Sequence, residues 1–97
     1  MSYYFGVDFD YEGDVTVDGE VLYVDLHAQL TAHVNLEQWT LDAIDGHIIA
    51  DGDHIPLVGK PELEWAIRHF LKNDKTFREY ADDHVREEYY DQVGPLR

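Results

Sequence analysis

A chain of 97 residues can bury enough surface for one compact domain, but not for two units with separate cores. It contains no cysteine, which excludes disulfides, thiolate metal ligands and a cysteine nucleophile. Its formal net charge of −14, from 21 acids against 7 Lys and Arg, opposes phosphate backbones and disfavours direct nucleic-acid binding.

The opening segment alternates. Tyr3, Phe5, Val7, Phe9 and Tyr11 point one way, and Tyr4, Gly6, Asp8 and Asp10 the other, which is the pattern of a half-buried strand. Glu12-Gly13-Asp14 reads as an interruption. Val15-Thr16-Val17 resumes the strand as far as Asp18-Gly19, a favourable hairpin turn. From Leu22 the alternation runs unusually far, with Leu22, Val24, Leu26, Ala28, Leu30, Ala32, Val34 and Leu36 on one face. Such a run exceeds an ordinary strand, so a bend, a bulge or a join between two strands is expected near His27 to Thr31. Gln38 to Ala43 reads as a further strand, with Trp39, Leu41 and Ala43 inward and Asp42 outward. Asp45-Gly46 then reads as a turn into His47-Ile48-Ile49-Ala50, and Asp51-Gly52 as a turn into His54-Ile55-Pro56-Leu57. Pro56 removes a ladder donor and marks an edge or strand end.

The periodicity changes after Gly59-Lys60-Pro61. Proline suits a first helical turn, and Leu63, Ala66, Ile67, Phe70 and Leu71 recur at helical spacing. Thr76-Phe77-Arg78-Glu79 has the form of a capping box for a second helix, whose apolar face is Phe77, Tyr80, Ala81, His84, Val85 and Tyr89. Gly94-Pro95 supplies its stop. Two amphipathic helices need an apolar surface to cover, and a sheet with one apolar face needs a cover. The expectation is a single α+β domain over residues 1–97, with a strand-rich part at 1–59 forming a predominantly antiparallel multistranded sheet and two packed α-helices at 60–97. The alternative is a curled sheet or partly closed barrel with flanking helices. No apolar run approaches the roughly 20 residues of a membrane-spanning helix, and the first residues lack the basic start of a secretory signal, so a soluble, cytoplasmic protein is expected.

The charge is unevenly placed. Every Lys and Arg lies at or after Lys60, so the strand-rich part carries acids and histidines alone. Within it, Asp8-x-Asp10-x-Glu12-Gly13 matches the start of a calcium loop, but the twelfth position is Gly19 rather than a bidentate acid, and the setting is a strand. His47, Asp51, Asp53 and His54 are near in sequence and have metal-ligand chemistry without a diagnostic spacing. His27 and His33, six extended residues apart, lie roughly 20 Å from each other on one face. His84, on the helical stripe, reads as a packed histidine, and His69 as solvent-facing. Glu37 with Asp42, or Asp51 with Asp53, could form acid pairs, although no catalytic motif accompanies them. No cofactor signature is present.

These features favour a small acidic protein-binding or regulatory module that recognises an electropositive protein surface. Asp8, Asp10, Asp25 and Asp42 are the candidate steering acids, and Tyr4 and Tyr23 the candidate aromatic contacts. Mimicry of a nucleic-acid backbone is a variant of that reading. Assembly as a homodimer or larger homo-oligomer and a small metal-dependent enzyme are the alternatives.

Overall fold

A computed structural model describes residues 4–33 and 38–92. Strands β1 (Tyr4–Val17), β2 (Glu20–His33), β3 (Trp39–Ala50) and β4 (Asp53–Pro56) form one antiparallel sheet in the order β1-β2-β3-β4. Helices α1 (Pro61–Asn73) and α2 (Lys75–Gln92) follow. The arrangement is α+β and the sheet is not closed, which removes the barrel alternative. The three long strands make the molecule elongated, 50 × 24 × 21 Å, as expected at about 3.3 Å of rise per residue.

The helices lie on one face of the sheet. Phe5, Val7, Phe9, Tyr11 and Val15 of β1 and Val24, Leu26, Ala28, Leu30 and Ala32 of β2 are buried there. They join Leu41, Ile44 and Ile48 of β3, together with Ile67 and Leu71 of α1 and Phe77, Ala81 and Val85 of α2, in one cluster. The Phe77 ring is fully buried among Phe9, Tyr11 and Trp39, with centroids at 5.8, 5.0 and 6.1 Å. Trp39 also donates from its indole Nε1 to Asp82 at 2.7 Å, tying β3 to α2.

Four sequence expectations need correction. Glu12-Gly13-Asp14 does not interrupt β1, because each residue pairs in register with Asp25, Val24 and Tyr23. The Tyr11 ring folds across Gly13, using the space left by the missing side chain. Asp45-Gly46 is not a turn but lies inside β3, so residues 39–43 and 47–50 belong to one strand. Gly46 has φ +134, and a Cβ there would stand 2.9 Å from Leu26 Cα, so glycine serves a close approach of β3 to β2. Ala43 does not point inward. The register shifts between Gln29, opposite Ala43, and Leu30, opposite Leu41, leaving Asp42 as an extra residue. That bulge puts Leu41 and Ile44 on the inner face and Ala43 on the outer one. The irregularity falls in the expected window of β2, but the additional residue sits on β3. Finally, the cap of α2 is Asp74 rather than Thr76: Phe77 N–H donates to Asp74 Oδ2 at 3.0 Å, and Arg78 N–H to the Asp74 carbonyl at 2.9 Å.

The turns at Asp18-Gly19 and Asp51-Gly52 form as expected, each with positive φ at both residues. Pro56 ends the edge strand β4. Tyr3, Val34, Leu36, Glu37, Gly94 and Pro95 lie outside the described residues.

Candidate functional site

The face of the sheet opposite the helices carries the even-numbered residues of β1 and the odd-numbered residues of β2. Pairing sets them in rows across the strands: Asp8 beside Gln29, Asp10 beside His27, Glu12 beside Asp25 and Asp14 beside Tyr23. On β3 the rows continue with Asp45 opposite His27, His47 opposite Asp25 and Ile49 opposite Tyr23. Because every Lys and Arg follows residue 59, these strands contribute no permanent cation to the face.

His27 is the centre of its interactions. A two-residue turn closes on a hydrogen-bonded pair, here Val17 with Glu20, and such pairs alternate along an antiparallel ladder. Asp10 and His27 are therefore a non-hydrogen-bonded pair, the class whose side chains approach most closely. Nδ1 of His27 lies 2.9 Å from Asp10 Oδ1, and Nε2 lies 3.0 Å from Asp8 Oδ2. A neutral imidazole has one donor and would turn its other lone pair toward a carboxylate, whereas imidazolium donates to both. The hydrogen bond to Asp10 raises the His27 pKa above its ordinary 6.5, partial desolvation opposes the rise, and Asp8 adds to it.

The other candidates take separate places. The Tyr23 phenol pKa is raised, chiefly by the Glu12 carboxylate as a hydrogen-bond acceptor, with smaller contributions from desolvation and the nearby acids. Asp25 is exposed in the same row as Glu12. Asp42, at the bulge, accepts from the Thr31 hydroxyl and, at 3.1 Å, from the Thr40 hydroxyl. Its carbonyl accepts from Arg68 of α1 at 2.8 Å, which satisfies a group that the bulge takes out of the ladder. Tyr4 is exposed at the far end of β1 and meets His33 edge-on at 4.9 Å. Tyr4 and Tyr23 do not converge: Tyr23 lies opposite Asp14, ten residues along β1 from Tyr4, or about 33 Å of extended strand.

His47 and His54 stand with ring centroids 5.8 Å apart, but among the described residues no group of three or more His, Asp or Glu side chains converges as a metal site. The set His47, Asp51, Asp53 and His54 therefore does not come together. His84 packs as expected, stacked on Phe9 at 4.4 Å, while the exposed His69 stacks on Trp65 at 5.2 Å. An open depression of about 750 Å³ runs beside residues 10–14 of β1, bounded on the helix side by Asp74, Thr76 and Tyr80. Tyr11, at its floor, has a raised pKa from burial and then from Asp74 and Asp14.

Two features are not read from composition: the bracketing of His27 by two acids, and the groove between β1 and the start of α2. The first was present in the turn, since a hairpin centred on Asp18-Gly19 counts back to place Asp10 opposite His27. The groove had no local signal.

No protein-family model, curated protein or solved structure matches the chain. Among the described residues no helix is long and apolar enough to cross a membrane.

Proposed function

We propose that this protein is a small acidic binding module whose open sheet face docks an electropositive surface of a protein partner. The observation that carries the reading is the segregation of the sheet. One face is closed by two helices, while the other presents Asp8, Asp10, Glu12, Asp14, Asp25 and Asp45 without a lysine or arginine from any strand. Such a field attracts a basic surface at a distance and speeds encounter, while Tyr23 and the half-buried Ile49 beside it offer short-range apolar contact.

The test is the association rate with a folded basic protein, lysozyme, at several salt concentrations. A triple variant of the face, Asp8→Asn with Asp10→Asn and Asp25→Asn, is compared with a charge-matched variant of α2, Glu79→Gln with Asp83→Asn and Glu87→Gln. The on-rate should fall as salt rises, and the face variant should lose several-fold more than the helix variant. Equal losses would assign the effect to total charge and remove the face as the docking surface.

A further inference from the structure

The sheet has two edges, and they are built differently. β4 is only 4 residues long and ends at a proline, and beyond it the uncovered part of β3 is interrupted by the Asp42 bulge, whose carbonyl is taken by Arg68, devices that blunt an edge. β1 is 14 residues long, contains no proline or lysine, and among the described residues pairs only with β2.

The parity of the ladder decides what the β1 edge presents. Since Val17 and Glu20 form a hydrogen-bonded pair, the odd-numbered residues of β1 direct N–H and C=O into β2. Asp8, Asp10, Glu12 and Asp14 direct theirs away from the sheet. Their side chains stand on the acidic face, so each second residue offers a donor, an acceptor and a carboxylate together. Alongside residues 10–14 the depression of about 750 Å³ leaves space against this edge.

We propose that the β1 edge from Asp8 to Asp14 accepts an added strand, an extended segment of a protein partner with Lys or Arg at alternate positions. Residues directly opposite in paired strands share a face, so the basic side chains meet the carboxylates. The intervening residues face the groove beside Tyr11 and Tyr80 and are small or apolar. A second copy of β1 does not fit, because its own acids would stand opposite like charges. Asp8 and Asp10 are 69% and 85% exposed despite their contacts with His27, which leaves their carboxylates open to an incoming cation. The inference rests on the proposed function for the partner's charge and adds the mode of binding.

The probe is a short labelled peptide alternating Lys with Thr and Val, compared with a peptide of the same composition whose lysines are contiguous. Anisotropy titration should give the alternating peptide about tenfold or more tighter binding, because only it sets every lysine on the face of the carboxylates when its backbone pairs with the edge. Amide exchange at Asp8, Asp10, Glu12 and Asp14 should slow in the complex. N-methylation of the peptide amides facing the edge should abolish the preference. On the protein, Glu12→Pro removes one outward amide without touching the β2 ladder and should weaken binding well beyond Glu12→Gln, which removes the charge alone. Should Glu12→Pro fail to fold, the N-methylated peptide gives the same answer on the unaltered protein. Equal binding of both peptides without amide protection overturns strand addition and leaves the acidic docking face standing. Failure of both peptides to bind at low salt overturns both proposals.

Discussion

Replacing His27 with glutamine removes an imidazole that holds Asp8 and Asp10 at 3.0 and 2.9 Å, and keeps a polar side chain of similar reach. Its folded pKa is raised, chiefly by Asp10 and then by Asp8, with partial desolvation opposing. A raised pKa fixes the sign: the native state holds the proton more tightly than the unfolded chain. The stabilisation is therefore complete below the unfolded value of 6.5 and is lost as pH climbs through the raised folded value. The His27 side chain is 37% exposed and its partners more so, which places the two contacts in the class of surface ion pairs. Such pairs contribute about 0.2–1 kcal/mol each, for roughly 0.4–2 kcal/mol in all and a central value of about 1 kcal/mol. For a domain of this size that corresponds to about 3–10 °C in Tm at acid pH. Thermal melts of the native protein and His27→Gln at pH 5.5 and 8.5, in low salt, should show the native protein ahead at the lower pH and the gap shrinking at the higher. Only the gap is diagnostic, because acid also relieves the repulsion among the remaining carboxylates in both proteins. A gap of equal size at both pH values, or one that widens with rising pH, would refute the protonated bracket.

Phe77→Ala should cost about 3–5 kcal/mol by chemical denaturation, because the ring is fully buried between the sheet and α2 and its removal leaves a cavity among Phe9, Tyr11 and Trp39. Gly46→Ala should destabilise by about 2–4 kcal/mol, combining a backbone at φ +134 with a clash against Asp25 and Leu26; a neutral result would contradict the close approach of β3 to β2. Asp74→Ala should cost about 1 kcal/mol through loss of the α2 cap, whereas Thr76→Ala should stay within about 0.5 kcal/mol; the reverse ranking would return the cap to Thr76.

The three Asp-Gly pairs show what local sequence can and cannot specify. At 18/19 and 51/52 both residues adopt positive φ and reverse the chain. At 45/46 the same dipeptide stays extended through Asp45, and the glycine serves contact with β2 instead. A dipeptide permits a turn, but cross-strand pairing decides whether it is used, and β2 is long enough to pair along most of β3. Helix periodicity was legible because the positions that recur, Ile67, Leu71, Phe77, Ala81 and Val85, are those buried against the sheet. The cap was ambiguous because Asp74 and Thr76 both suit an N-terminus. Asp74 serves at a junction where its own N–H still closes the last turn of α1 on the Leu71 carbonyl at 3.2 Å. Asp8, Asp10 and Asp25 lie on the outer face because β1 and β2 pair without a shift, whereas alternation fails past the β3 bulge, where Ala43 turns outward. Their separation was not legible as a site, because it depends on register and on the Asp42 bulge.

If the acidic face docks a basic partner as proposed, that register couples folding to recognition through one side chain. Protonated His27 stabilises the hairpin by holding Asp8 and Asp10, and the same proton places a positive charge at the middle of the surface proposed to dock a basic partner. A Lys or Arg arriving at either carboxylate competes with the imidazole, and as it displaces the ring the cause of the raised pKa is removed. Partner binding at these acids then favours release of the His27 proton, while acid favours the closed bracket. By linkage, a proton released on binding makes affinity rise with pH across the interval in which His27 alone gains stability from acid. For such a partner, fold stability and affinity would be set against each other at the centre of the face. The more distant acids, Asp25 and Asp14, lie outside the bracket. On the proposed reading these acids keep the long-range attraction at acid pH while the short-range part is lost, so pH should act more on dissociation than on encounter.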